Sequence, residues 1–355
     1  MNKQLIIILL LLINLPFNIN AQETKDDFDA TLIAAEGQES KISYNLGIEN
    51  FKNKEYEDAI KNFSRAIQYE PGFAKAYLNR GSVKTKINDY TGAIEDFNLA
   101  LQFDTNLTKA YYNRGRAKDL NNNKESALED YTTAIENGYE DGYAYYYRGV
   151  LQFQNNEYEK ALEDFTLSIY KLPEFAYAYN DRGSAKRKLK DYDGAIDDYS
   201  QAIKLDSNMA IAYNNLGSAK KNSGDNEGAI IDYNTAIKIK SDYYIAYNNR
   251  GCAKYNQKKY NEAIEDFNIA IIMQEDYAYA YNNIGAAKIK LKDYEIAIEA
   301  LDGAIEIDST YGYAYLNRGN AKEMLKDFEG ACLDWKKAVE LGITEIADFL
   351  IYCDE

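Results

Sequence analysis

The sequence predicts an all-α solenoid of nine helix-turn-helix repeats, and three observations support this fold class. Nine glycines follow one another at a constant spacing of 34 residues. An alanine recurs with the same spacing, and a large side chain stands four positions after it. In the second repeat, residues at helical spacing around the glycine fall on one helical face: Tyr77, Arg80, Gly81 and Lys84. This period is typical of a two-helix unit that buries its apolar face against neighbouring copies. The glycines are Gly47, Gly81, Gly115, Gly149, Gly183, Gly217, Gly251, Gly285 and Gly319.

The composition narrows the possible functions. The 355-residue chain has 41 Lys and Arg against 57 Asp and Glu, a net charge of -16. We therefore expect no binding to nucleic acid, and membrane association only through a partner. The chain contains no histidine, which excludes Ser-His-Asp and Cys-His catalytic sites and His-ligated metals. The sequence thus predicts a protein that is not an enzyme and has no cofactor and no metal.

The first residues are typical of an export signal. In residues 1–21, Lys3 precedes an apolar run from Leu5 to Leu15, and Ala21 ends a cleavage site before Gln22. The run is shorter than the roughly 20 residues that span a bilayer. We expect cleavage and a periplasmic or secreted chain. The acidic leader at residues 22–39 is expected to be a loose arm.

Each repeat is numbered here so that its glycine is position 8. The nine repeats then fill residues 40–345 without insertion, at 40–73, 74–107, 108–141, 142–175, 176–209, 210–243, 244–277, 278–311 and 312–345. Residues 346–355 keep the same phase. They predict a short C-terminal capping helix with Ile346, Phe349, Leu350 and Cys353 on one face.

The pattern also predicts how the two helices of a repeat begin and pack. Alanine at position 20 beside a large residue at position 24 allows the helix axes to approach closely. A polar residue that precedes the second helix is expected to cap its N-terminus. These capping residues are Asp89, Asn123, Asp191, Asp225, Asp293 and Asp327.

This pattern resembles the tetratricopeptide repeat family, whose small and large residues recur at positions 4, 7, 8, 11, 20, 24, 27 and 32. The segments from Tyr77 to Lys84 and from Asp191 to Tyr199 carry the resemblance most clearly. The family's proline at position 32 is kept only at Pro71 and Pro173. The resemblance implies a right-handed superhelix whose inner groove binds peptides.

An ion pair across each helix hairpin is predicted from the chain's own copies. Position 7 is arginine in six repeats, and position 23 is aspartate in the same six. A partly buried arginine without a carboxylate is costly, so we interpret the pair as mutual compensation. The sixth repeat, with Leu216 and Asp232, breaks the rule. The pairs are Arg80–Asp96, Arg114–Asp130, Arg148–Asp164, Arg182–Asp198, Arg250–Asp266 and Arg318–Asp334.

The resemblance implies that positions 2, 5, 6, 9, 12 and 13 face the groove. Asparagines there can grip a peptide backbone while tyrosines supply flat contacts; the alternative is that the asparagines bond neighbouring helices. No repeat has the Lys at position 5 and Asn at position 9 of the family's carboxylate clamp. The ligand-groove candidates are Tyr143, Tyr177, Asn180, Asn214, Asn215, Asn248, Asn249, Tyr279, Asn282, Asn283 and Tyr313.

The leading functional prediction is a non-enzymatic scaffold that binds a protein or peptide partner in this groove. A carbohydrate- or cell-wall-binding module that uses the same tyrosines and asparagines is a second possibility. A third is the sensor or arm region of an enzyme whose catalytic domain is absent. Peptide partners of so acidic a chain should be basic and their binding sensitive to salt, whereas sugar binding should persist at high salt.

Three cysteines remain. Cys252 stands alone at position 9, and Cys332 occupies position 21, where the other repeats have Ile or Leu. Cys353 follows Gly319 by 34 residues. We expect free thiols, with a Cys332–Cys353 bridge as the alternative in an oxidising compartment.

Overall fold

The computed structural model describes residues 32–33, 38–344, 346, 350 and 353, and this part of the chain contains 18 α-helices and no strand. The predicted signal peptide, most of the leader and most of the capping helix, including Phe349, lie outside the described residues. No helix in the described part is both long and apolar enough to cross a membrane.

The chain divides into two compact units, here called the N-terminal unit, which ends at Leu189, and the C-terminal unit, which starts at Lys190. The N-terminal unit contains α1 (Glu39–Lys52), α2 (Tyr56–Tyr69), α3 (Ala74–Lys86), α4 (Tyr90–Phe103), α5 (Thr108–Leu120), α6 (Lys124–Glu136), α7 (Gly142–Gln154), α8 (Tyr158–Lys171) and α9 (Ala176–Lys188). The C-terminal unit contains α10 (Tyr192–Leu205), α11 (Ala210–Asn222), α12 (Asn226–Ile239), α13 (Tyr244–Asn256), α14 (Tyr260–Met273), α15 (Ala278–Leu291), α16 (Tyr294–Ile307), α17 (Gly312–Met324) and α18 (Phe328–Glu340).

Within each unit, every helix packs on the next helix along the chain. Odd-numbered helices are the first helices of the repeats, and even-numbered helices are the second helices. First helices also contact the first helices of the adjacent repeats, as α15 contacts α17. This arrangement confirms the predicted all-α fold of stacked helix-turn-helix repeats.

The position 8 glycines are needed because two helices meet there. In eight repeats, a Cβ on this glycine would come within 2.5–3.0 Å of the large side chain at position 24. At Gly47, for example, it would meet the ring of Phe63, which is fully buried. Any larger residue would therefore push the helices of the hairpin apart.

Four of the six predicted N-caps are formed. The carboxylates of Asp89, Asp191, Asp225 and Asp327 each accept a hydrogen bond from the backbone N–H of a glycine three residues later. A Cβ on any of these glycines would collide with the capping carboxylate. The prediction was wrong for Asn123 and Asp293, whose side chains cap nothing. Position 19 is Ser126 and Ile296 in those repeats. The Cβ of each occupies the space that a capping side chain needs.

The predicted ion pairs form, and a lysine joins them. Five of the six pairs lie within one unit, and all five are present, with Arg148 Nε 2.7 Å from Asp164 Oδ2. In four of these repeats the lysine at position 11 binds the same aspartate, as Lys84 Nζ does at 2.8 Å from Asp96 Oδ2. Each such aspartate is held by two cations from the first helix of its own repeat.

The lysine also explains the sixth repeat. Asp232 has no arginine partner there, but Lys220 Nζ lies 2.7 Å from its Oδ2. Burial raises the pKa of Asp232, although Lys220 opposes that effect. The aspartate therefore remains paired where the sequence indicated an exception.

The C-terminal segment is tied to the last repeat by a disulfide, so the expectation of free thiols was wrong for Cys332 and Cys353. Ile346 is fully buried, and Leu350 and Cys353 are partly buried beside Leu316 and Trp335. These contacts hold Cys353 within 5.5 Å of Cys332, measured between Cα atoms, which is a normal separation for a bridge. Cys252 is a buried free thiol.

Replacing Asp164 alone should destabilise the chain more than replacing Arg148 and Asp164 together by leucine. The single change strands Arg148, which is only 17% exposed, and position 11 of this repeat is Gln152, not lysine. We expect the single variant to lose about 2 kcal/mol more stability than the double variant, less than for a fully buried pair because Arg148 reaches solvent. Urea unfolding followed by circular dichroism measures the difference.

The matched control is Glu163→Leu, the same kind of change at the exposed neighbouring acid. It should alter the unfolding midpoint little. Strictly additive losses for Arg148→Leu and Asp164→Leu would show that the two side chains do not compensate each other.

Candidate functional site

The asparagines predicted to line the groove are almost all buried. Asn180, Asn214, Asn215, Asn248, Asn282 and Asn283 are at most 6% exposed, and Asn249 is half-buried. All seven lie on first helices, as expected, and five of them contact the adjacent first helix: Asn214, Asn248, Asn249, Asn282 and Asn283. Their binding of a ligand stays a prediction.

In the C-terminal unit, these amides bond one another from repeat to repeat. Asn249 Nδ2 donates to Asn214 Oδ1 at 2.9 Å, and Asn283 Nδ2 donates to Asn248 Oδ1 at 3.0 Å. Asn317 continues the series to Asn282 at 2.9 Å. In each case position 6 of one repeat donates to position 5 of the repeat before it. We call the contacts of positions 5, 6 and 9 between adjacent first helices the polar ladder.

The N-terminal unit builds the same polar ladder from other side chains. Asn79 donates to the Tyr44 hydroxyl, and Asn113 donates to Ser82 Oγ at position 9, each at 3.0 Å. Between the third and fourth repeats, the Arg116 guanidinium lies 3.6 Å from the ring centroid of Tyr147. A buried amide that lost its partner would cost about 1–3 kcal/mol, so the ladder holds the first helices in register.

The rung between the fourth and fifth repeats contains a buried carboxyl group, that of Asp181. Tyr146 donates its hydroxyl to Asp181 Oδ2 at 2.7 Å, and Asn180 Nδ2 donates to Oδ1 at 2.8 Å. Asp181 is only 5% exposed. Burial raises the pKa of Asp181 to about 7, although both hydrogen bonds oppose that effect.

At the first repeat, the asparagine at position 6 hydrogen-bonds the main chain of the leader. Asn45, at position 6 of the first repeat, has no preceding repeat. Its Oδ1 accepts from the N–H of Ile33 at 3.0 Å, and its Nδ2 donates to the C=O of the same residue at 2.8 Å. Ile33 also packs on the cluster of Tyr44 and Phe63. The leader was expected to be loose, but at Ile33 it is docked.

The tyrosines at position 2 stay partly accessible. Tyr143, Tyr177, Tyr279 and Tyr313 are all half-buried. In the N-terminal unit, Tyr143 and Tyr177 flank Phe175, with ring centroids 5.2 and 6.0 Å away. The predicted site residues therefore fall into two groups. The asparagines are mostly buried and pack one repeat on the next, and the tyrosines reach the surface.

The C-terminal unit contains aromatic contacts that the sequence analysis missed. Tyr277 and Tyr311, each the last residue of its repeat, join the position 2 rings into a continuous series. The signal was present, because position 34 is tyrosine in three consecutive repeats. We call Tyr244, Tyr277, Tyr279, Tyr311 and Tyr313 the aromatic row.

Comparison with known families decides the assignment. Tetratricopeptide repeat models match residues 44–107 and 112–176, and residues 210–243, 244–276 and 278–311. A further TPR repeat model matches residues 183–224. The chain belongs to the tetratricopeptide repeat family.

Several solved structures share the fold at low identity. The APC/C hetero-tetramer Cut9–Hcn1 matches with a TM-score of 0.55 and 16% identity, over 89% of this chain and 84% of that chain. The C-terminal part of a repeat protein from Cytophaga hutchinsonii gives 0.51 and 18%, over 67% and 97%. A repeat protein from Parabacteroides merdae gives 0.50 and 20%, over 71% and 99%. A search of curated proteins found no match.

Reactive chemistry is sparse in the described part of this tetratricopeptide repeat chain. No group of three His, Cys, Asp or Glu residues there could hold a metal ion. Cys252 is 2% exposed and its Sγ accepts from Asn283 Nδ2 at 3.4 Å, while burial raises the pKa of the thiol. The thiol thus serves the polar ladder.

Asp181→Asn should remove a pH-dependent loss of stability. The pKa of Asp181 is higher in the folded chain than in the unfolded chain, so the protonated carboxyl favours folding. Its contribution to the free energy of unfolding is full below the unfolded pKa, about 4, and is lost as the pH rises through about 7. The variant and the wild type should be similar near pH 4, with the variant gaining up to about 4 kcal/mol by pH 8. Chemical unfolding at several pH values measures the difference, and a constant difference would contradict the prediction.

Proposed function

We propose that this chain is a non-enzymatic protein–protein interaction scaffold that binds a peptide or protein partner along the first helices of its repeats. Its tetratricopeptide repeats support the scaffold role, since repeats of this family generally bind proteins. One observation carries the choice of surface. The position 2 tyrosine rings remain half-buried, whereas the asparagines beside them are buried in the polar ladder.

The surface suits a partner because its side chains are rigid. Tyrosine offers a large contact area at a small cost in side-chain entropy. The ladder beneath holds each first helix to the next, so the rings of adjacent repeats keep a fixed spacing. A segment that lies along several repeats can therefore meet equivalent rings in succession.

The burial of the asparagines bears on the carbohydrate alternative. A sugar site needs accessible hydrogen-bonding groups beside its aromatic platforms. The amide oxygens of Asn214, Asn248 and Asn282 already accept hydrogen bonds from adjacent repeats. We therefore do not propose carbohydrate binding.

Peptide selection followed by photocrosslinking tests the proposal. Linear peptides from a displayed library are selected on the purified chain, and p-benzoylphenylalanine then replaces Tyr177 or, as the control, Tyr170. Both sites lie in the N-terminal unit, but Tyr170 is 80% exposed on the second helix α8. Selected peptides should crosslink at position 177 and not at 170. Equal crosslinking at both sites, or no enriched peptide, would contradict the proposal.

We also propose that the chain is exported, to the periplasm or beyond. The pattern of residues 1–21 is that of a cleavable signal peptide. The Cys332–Cys353 disulfide supports the proposal, because such bridges persist in oxidising compartments and are rare in the cytosol.

Expression in a bacterial host with the native N-terminus tests export. Mass spectrometry of the periplasmic and secreted fractions should find a chain that begins near Gln22, with Cys332 and Cys353 protected from alkylation until reduction. Cys252 is the internal control, because it should react once the chain is denatured, even without reductant. A cytosolic chain that keeps Met1 and has three alkylated cysteines after denaturation would disprove export.

A further inference from the structure

The aromatic row is a continuous set of edge-to-face contacts within the C-terminal unit. Ring centroids are 5.0 Å apart for Tyr244 and Tyr277, 5.6 Å for Tyr277 and Tyr279, and 5.0 Å for Tyr279 and Tyr311. Tyr277 and Tyr311 are buried, and the other three rings are half-buried. Buried rings thus alternate with rings that reach the surface, which fixes the accessible rings in place.

Elsewhere this chain covers its tyrosines with its own cations. At position 4, five tyrosines each lie beneath the arginine three residues later, with guanidinium carbons 5.1–5.6 Å from the ring centroids. Among the described residues, no Lys or Arg covers the first four rings of the aromatic row. A tyrosine face attracts cations through its quadrupole, so the accessible parts of the half-buried Tyr244 and Tyr279 rings remain available to a cation of a partner.

A carboxylate adds negative charge beside the row. Burial and the Asp308 carboxylate both raise the pKa of Tyr279. Burial also raises the pKa of Tyr311, with a smaller contribution from Asp308. Thr310 donates twice to Asp308 Oδ1, but no Lys or Arg in the described part of the chain pairs with Asp308. The row therefore combines aromatic faces with an uncompensated negative charge.

We propose that the aromatic row, with Asp308, binds lysine or arginine side chains of an extended partner segment. This inference rests on the proposed function and specifies the chemistry of the partner. The net charge of -16 acts in the same direction, since it steers basic segments towards the chain. Half-buried rings beside a carboxylate suit a cation whose water shell is partly removed.

A titration with matched peptides tests the proposal. The probe is an acetylated, amidated Gly/Ser peptide with three arginines, and its control replaces each arginine by citrulline, the neutral isostere. Thermophoresis should show that the wild type binds the arginine peptide at least about fivefold more tightly than the citrulline peptide. Tyr279→Leu should weaken arginine binding about fivefold, whereas Tyr279→Phe, which keeps the face, should stay within about twofold.

Tyr170→Leu is the control for a general loss of tyrosine, because this ring is exposed on α8 of the other unit. It should not change the affinity. If circular dichroism shows that Tyr279→Leu is unfolded, Asp308→Asn decides instead, with an expected loss of about threefold. The proposal is overturned if the arginine peptide binds equally to the wild type and to the folded variant, Tyr279→Leu or else Asp308→Asn. It is also overturned if the wild type binds the arginine and citrulline peptides equally.

The two proposals can fail separately. Selected peptides that crosslink at position 177 while Tyr279→Leu leaves arginine binding unchanged would keep the proposed scaffold function and overturn the aromatic row as a cation site. A display selection without enriched peptides would count against the scaffold function, and the arginine titration would still decide the cation site on its own.

Discussion

The close approach of the two helices in each repeat is the constraint on which the remaining structure depends. The side chain at position 24 packs so closely on position 8 that it leaves no room for a Cβ there, so position 8 is glycine. This contact sets the distance between the helices, and so it determines whether arginine at position 7 reaches aspartate at position 23. It also fixes which face of a first helix meets its neighbour and which face carries the position 2 tyrosines.

The buried aspartates show how the chain compensates charge inside a small hairpin. Asp96 accepts from Arg80 through both oxygens and also pairs with Lys84. In the fourth repeat Gln152 replaces the lysine, and burial raises the pKa of Asp164 even though Arg148 and Gln152 donate to it. Two cations allow either one to be lost, which is why Asp232 tolerates Leu216 where arginine usually stands.

Much of the fold could be predicted because the relevant residues lie within one helix or one hairpin. The glycine spacing, the small and large residues, and the Arg–Asp pairs are visible as patterns inside a single repeat. The polar ladder joins residues 35 apart, such as Asn248 and Asn283, across a repeat boundary. Helical periodicity cannot tell whether such a polar side chain meets water or the next repeat. Two of the six caps failed for a local reason, since capping also depends on a glycine at position 19, which the repeats of Asn123 and Asp293 lack.

The polar ladder also has a consequence for folding cooperativity. Each rung joins only adjacent repeats, so the coupling of the array is a series of nearest-neighbour terms. These terms are chemically unequal: amide pairs in the C-terminal unit, a stacked arginine at Tyr147, and a carboxyl at Asp181. An array with unequal couplings unfolds first where the coupling is weakest. Above neutral pH, loss of the Asp181 proton therefore weakens the coupling between α7 and α9 in the N-terminal unit.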